Sequence, residues 1–269
     1  MADDFPLNAY LSRLGWSGPV RPDLATLRAL HRAHVGAIPF ENLDIQMGRP
    51  IGIDPASLQA ALVDRRRGGY CFQQNGLFRL ALTAIGYEPR GCEGRVRLEA
   101  TGIRPRTHMV LTLALENRRW LADVGFGANG LVEPVPLDGT ESAQDGWRYR
   151  VAADGRFHVL QRAGTAAWED LYVFSDEEVP QIDYIAGNWF TSTYPESGFV
   201  RSLTVQRTIA GRRHLLRNLT YAVAEDGAWV TREIRREELV PLLRDTFGLD
   251  VPDDARFVAI DAPGTGTSA

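Results

Sequence analysis

The chain has 269 residues, enough to bury a substantial core, so its stability does not rest on disulfides, and its two cysteines, Cys71 and Cys92, assemble neither a disulfide framework nor a zinc site. Lys and Arg number 30 against 34 Asp and Glu, and the arginines are scattered apart from Arg65, Arg66 and Arg67, which argues against nucleic acid and for a small-molecule partner. The start, MADDFPLNAY, is acidic where a signal peptide is basic, and no apolar run reaches the length of a membrane span, so a cytoplasmic protein without membrane contact is expected.

The first third reads as helical. Asp23 serves as N-cap for a helix in which Leu24, Leu27, Leu30, His34 and Ile38 share one face until Pro39 ends it. Asp54 and Pro55 start a second helix, with Leu58, Ala61 and Leu62 as its apolar stripe and Gly68-Gly69 as its end. A third is predicted from Cys71 to Ile85, closed by Gly86. Beyond it the period changes to two, and strands are predicted at Gly94 to Leu98, His108 to Leu115, Arg119 to Val124, Arg148 to Ala152, Phe157 to Gln161 and Trp168 to Phe174. They suggest a β-barrel or strongly curved antiparallel sheet. Strands near Ser202 to Ile209, His214 to Val223 and Ala228 to Ile234, then a helix from Arg236 to Phe247, suggest a small α/β lid. The tail APGTGTSA reads as disordered.

An isolated cysteine is by default a small buried hydrophobe. Cys71, in RRRGGYCFQQN, has a different setting: a Gly-Gly turn followed by a helical pattern puts the thiol at a helix N-terminus, where free N–H groups and the helix dipole favour a thiolate and can hold an oxyanion. Cys92 has no such setting.

A nucleophilic thiol needs an oriented base. His31 and His34 sit on or beside a helical apolar stripe and read as packing residues, while His158 and His214 have no carboxylate at a useful spacing. His108 differs. If His108 to Leu115 and Arg118 to Val124 pair around Glu116 and Asn117, Val110 lies opposite Asp123, and Asp123 shares a sheet face with His108 at about 7–8 Å between backbones. Asp123 also interrupts the apolar run WLADVGF, where a carboxylate needs a partner.

With these residues in hand, the chain resembles the arylamine N-acetyltransferase family at PFENLDI, at RGGYCF followed by Asn75, at RTHMVL, at LADVGFG and at TSTYPESGFV, over roughly residues 5 to 200. The resemblance implies an α+β fold of the cysteine-protease-like class. It divides into a helical domain over 1–87, a β-barrel domain over 88–195 and an α/β lid over 196–269. It further implies Cys71 as the acetylated nucleophile, His108 as base and Asp123 as its orienting residue, with Phe40 and Phe126 lining the acceptor pocket, for which core packing is the equal alternative, and Thr107 near the acyl donor. Glu41 and Arg67 resemble the family's structural ion pair. Gln73 stands where many relatives carry glutamate, which removes a charge near the thiol.

The implied chemistry has two steps: Cys71 takes the acetyl group from acetyl-CoA and passes it to an aromatic amine or hydrazine, with no metal. The same triad would serve a thiol hydrolase or an amide-forming release enzyme for an acyl chain, and an inactive binding module is the reading from another class. Oligomeric state and physiological acceptor are not encoded in any motif read above.

Overall fold

The computed structural model describes residues 5–164, 167–209, 211–225 and 228–261. Two helices, α1 (Leu7–Leu14) and α2 (Leu24–Ala37), open the chain. α2 begins as its sequence predicts, with Asp23 accepting a hydrogen bond from the Thr26 N–H at 2.8 Å and so satisfying one free donor of the first turn. α1 is an addition to the sequence reading: it is short, buries Tyr10 and stops at Gly15 in the left-handed region.

A short strand β1 (Phe40–Glu41) and helix α3 (Leu43–Gln46) follow. The helix expected from Asp54 begins on schedule as α4 (Pro55–Leu58), then widens into a π-helical turn over Gln59–Asp64. Leu58, Ala61 and Leu62 still point inward. The wider turn and a left-handed Arg66 bring the chain inward, so that Arg67 reaches Glu41 at 3.2 Å and Asp44 at 3.3 Å. Helix α5 (Cys71–Ile85) has the predicted bounds and ends at Gly86, φ +105°.

The strands β2 (Arg90–Val96), β3 (His108–Leu115), β4 (Arg118–Ala122), β5 (Val135–Pro136), β6 (Ser142–Gln144), β7 (Trp147–Asp154), β8 (Phe157–Ala163) and β9 (Glu169–Phe174) form one antiparallel sheet in the order β5-β4-β3-β2-β9-β8-β7-β6. It curls until β5 meets β7, around a core that includes Val110, Leu121, Tyr149, Leu160 and Tyr172. The β3–β4 register is the predicted one: Leu115 faces Arg118 and Leu111 faces Ala122. Glu116 and Asn117 both take positive φ, as a two-residue hairpin turn matched to strand twist requires.

Helices α6 (Gln181–Thr193) and α7 (Gly198–Arg201) have no counterpart in the sequence reading. α6 hides its signal because Ile182, Ile185 and Trp189 face outward while Asn188 and Thr191 are buried, so its apolar residues do not mark the inner face.

Strands β10 (Thr204–Ile209), β11 (Arg212–Arg217), β12 (Thr220–Glu225) and β13 (Ala228–Glu233) form the second sheet, backed by α8 (Arg236–Asp245) and followed by α9 (Val258–Asp261). The single strand expected from His214 to Val223 is instead a hairpin, turned at Asn218, whose φ of +52° suits asparagine. The sheet takes β1 as its edge, with Phe40 opposite Gln206. The helical segment is thereby stitched to the last third of the chain. The APGTGTSA tail lies outside the described residues. Among those described, no helix is long and apolar enough to cross a membrane.

Gly125, just beyond β4, packs its backbone against the start of α5, where an added Cβ would lie 2.8 Å from the Cys71 Cα and 2.6 Å from Asn75 Nδ2. Gly125→Ala is expected to destabilise the protein by about 1–3 kcal/mol through overpacking. Urea unfolding reads this directly; an unchanged midpoint would show that the loop can withdraw from the helix at no cost.

Candidate active site

The thiol of Cys71 is positioned by the backbone before it. Gly68 admits no side chain, since a Cβ would fall 2.1 Å from the Pro39 carbonyl oxygen. Gly69 donates its N–H to that same oxygen and accepts from the Glu41 N–H. The buried Glu41 carboxylate receives the Arg67 guanidinium and the Gly68 N–H, so the ion pair holds the turn. Gln74, in the first turn of α5, donates to the Pro39 carbonyl at 2.7 Å and the Gly69 carbonyl at 3.2 Å.

Behind Gln74 stands His34, whose pKa burial lowers to about 3. The neutral ring donates from Nε2 to Gln74 Oε1 at 2.7 Å and accepts from the Tyr10 hydroxyl at Nδ1, 2.9 Å. Gln73 Oε1 accepts from the Tyr70 N–H at 3.4 Å, so the amide caps the first turn of α5 without bringing a charge.

Cys71 is the first residue of α5 and is buried, with Sγ 3.3 Å from the Thr107 carbonyl oxygen. His108 begins β3 and interacts with the thiol. Its Nε2–H donates to Asp123 Oδ2 at 2.8 Å, which leaves Nδ1 for the sulfur side. The other carboxylate oxygen of Asp123 accepts from Asn75 Nδ2 and from the Gly125 N–H, each at 2.8 Å. Burial opposes charge on His108, but the Asp123 charge and hydrogen bond, with a contribution from Cys71, outweigh it and raise its pKa to about 10. Burial likewise opposes ionisation of Asp123, and His108, Asn75 and Gly125 reverse it, holding the carboxyl below its ordinary range.

His31, which the sequence presents as a packing residue, has a second task. Its Nε2 accepts the backbone N–H of Asp123 at 3.1 Å, and burial lowers its pKa to about 4, so it acts as a neutral acceptor. A helical apolar stripe conceals this role, because nothing local to His31 signals residue 123. Cys92 is buried on the sheet against Thr112 Oγ1, away from the site. Neither His158 nor His214 lines the cleft.

Cys71 and His108 open into a cleft of about 290 Å³. Phe40, Thr107 and Phe126 all line it, together with Phe199, Val96 and Leu98, which sequence reasoning did not single out for the site. Phe126 and Tyr172 flank the imidazole at 5.1 and 4.7 Å between ring centroids, and Phe40 lies 5.9 Å from Phe199. Arg104 and Arg217 stand at the same cleft with Glu99. A crevice of about 550 Å³ on the other face of α5 is larger but contains none of Cys71, His108 and Asp123. Among the described residues, no group of three or more His, Cys, Asp or Glu is disposed to hold a metal.

A family model described as N-acetyltransferase matches residues 23–256. The chain belongs to the N-acetyltransferase family. It is 39% identical over 257 residues to an arylamine N-acetyltransferase of Mycolicibacterium smegmatis, covering 92% of this chain and 93% of the relative. To that of Escherichia coli it is 37% identical, over 95% and 92%. The solved arylamine N-acetyltransferase of Mycobacterium marinum in complex with CoA superposes with a TM-score of 0.86 at 36% identity, covering 90% of this chain and 92% of that one. The fold is thus the family's α+β fold, and the enzyme is an acyltransferase.

The raised pKa of His108 has a consequence for stability. Its folded value exceeds the unfolded value of about 6.5, so the stabilisation is complete below about pH 6.5 and is lost as pH rises toward 10. Asp123 works in the opposite sense, contributing above its unfolded value and losing its share in acid. The melting temperature of His108→Gln is therefore expected to fall less than that of the parent between neutral pH and about pH 10. Equal falls would contradict the buried charge.

Proposed function

We propose that the enzyme carries an acetyl group from acetyl-CoA to an aromatic amine or hydrazine through a thioester on Cys71. The observation that carries this reading is the meeting of a thiol at a helix N-terminus and a carboxylate-paired imidazole in the wall of one aromatic cleft. CoA in the M. marinum relative supports the donor, and the names of the relatives support the acceptor class. The cytoplasm is the compartment that suits two free cysteines and a CoA donor.

In the first step sulfur, whose proton the charged His108 already holds, attacks the thioester carbonyl, and backbone N–H groups at the start of α5 hold the oxyanion. Collapse expels the CoA thiolate, which takes the proton from His108. In the second step the amine attacks the acetyl-cysteine, loses a proton to His108 and leaves as the amide, restoring free sulfur beside the charged imidazole. Asp123 holds the imidazole in the Nε2–H orientation and offsets its charge in both steps.

Phe40, Phe126 and Phe199 fit the ring of a neutral arylamine, recognised mainly by burial. Thr107 fits the donor's acetyl-bearing end, since its carbonyl touches Sγ. Arg104 and Arg217 suit the donor's phosphates at the cleft mouth. In the division expected from sequence, residues 1–87 supply the thiol, 88–195 the base and carboxylate, and 196–269 the cover that carries Arg217.

Initial rates with both substrates varied are expected to give parallel lines, and intersecting lines would point to direct transfer in a ternary complex. Cys71→Ser should abolish transfer and Cys92→Ser leave it intact, while Asp123→Asn should lower the rate about 10⁴-fold with the fold retained. Near-parent activity in folded Cys71→Ser or Asp123→Asn protein would remove that residue from the mechanism.

A further inference from the structure

The crevice on the far side of α5 is larger than the catalytic cleft, and its walls are built differently. Ile51, Ile53, Leu58, Phe72, Leu80 and Met109 give it an apolar lining, closed on one side by α6 through Tyr184, Ile185 and Asn188. At about 550 Å³ it lies in the size range of small-molecule sites.

Its polar groups are few, and most are already engaged. Asp54 is occupied in capping α4 through the Ser57 N–H and hydroxyl. Asn188 accepts from the Tyr70 hydroxyl and donates to the Ile51 carbonyl. The Tyr184 hydroxyl is the exception: it is buried and has no hydrogen-bond partner among the described residues. A buried hydroxyl in that condition costs free energy that an acceptor would recover. Arg79 lines the same crevice; its Nη2 is held by Glu178 at 3.0 Å, while its Nη1 and the Tyr184 Oη converge beside Gly91, where a Cβ would meet them at 3.1 and 2.5 Å. Two donors therefore meet at one end of an apolar chamber.

We propose that this crevice is a second ligand site, separate from the acetyl-transfer cleft, for a small apolar monoanion such as an aryl or short-chain carboxylate. The apolar body fills the space between α5 and α6, and the anionic oxygen accepts from Tyr184 and faces the Arg79 guanidinium. The site backs the catalytic residues, since Phe72 follows Cys71, Met109 follows His108, and Asn188 holds Tyr70 at the turn before the thiol.

The test uses full-length protein with Cys71 first alkylated by iodoacetamide, so that the catalytic cleft is blocked. Fluorescence titration with 1-anilinonaphthalene-8-sulfonate is expected to show one saturable site, displaced competitively by 4-phenylbutyrate. Tyr184→Phe should weaken the dye by about tenfold, the loss of one hydrogen bond to an anion. Leu80→Trp, which fills the chamber, should abolish saturable binding. Both unalkylated variants should keep parental acetyl-transfer rates, which also shows that they fold. Unchanged dye affinity in the two folded variants would overturn the proposal. So would dye binding that alkylation of Cys71 alone removes, or that is lost with rising protein concentration as a second copy of the chain covers the crevice.

Discussion

The buried carboxylate of Asp123 is the constraint on which the site depends. An ionised carboxylate inside the protein is tolerable only with its charge and lone pairs answered, and here each partner comes from a different element. His108 answers from β3, Asn75 from α5 and the Gly125 N–H from the loop after β4, while His31 on α2 fixes the Asp123 backbone from behind. The helical segment and the curved sheet must therefore dock in one relative position for the charge to be satisfied. That same position brings Cys71 against His108. Folding and placement of the reactive groups are one event, and the imidazole is supplied with a fixed orientation before any substrate arrives.

The second layer of support is the turn before Cys71. Glu41 is a second buried carboxyl, answered by Arg67 and the Gly68 N–H, and it sits in β1, the strand that the helical segment lends to the last sheet. The ion pair thus joins the second sheet to the loop that presents the thiol. The Tyr10, His34 and Gln74 chain reaches the same loop from the opposite side. Both buried histidines of α2 are held neutral by burial, which suits acceptors and relays rather than charges.

Much of this was legible in the sequence because its signals are local. A Gly-Gly turn before a helical stripe located Cys71, and a two-residue turn set the β3–β4 register that brings His108 and Asp123 together. What stayed hidden depends on tertiary contact. His31 carries no mark of its bond to residue 123, since the partner is a backbone N–H from another element. α6 turns its isoleucines and tryptophan outward and so defeats a reading by amphipathic period. The π-helical turn after α4 answers to Glu41, far outside any local window, and the Asn218 turn that breaks the expected strand depends on a single backbone conformation.

In the proposed reaction Cys71 itself carries the acetyl group. Mixing the protein with acetyl-CoA in the absence of amine, quenching rapidly in acid and measuring intact mass tests it most directly. A gain of one acetyl group is expected, mapped by peptide analysis to Cys71 and discharged as acetylated amine when an aniline is added. Transfer that proceeds at the parental rate with no acetyl-protein at any quench time would contradict it, and would leave Cys71 outside the path of the acyl group.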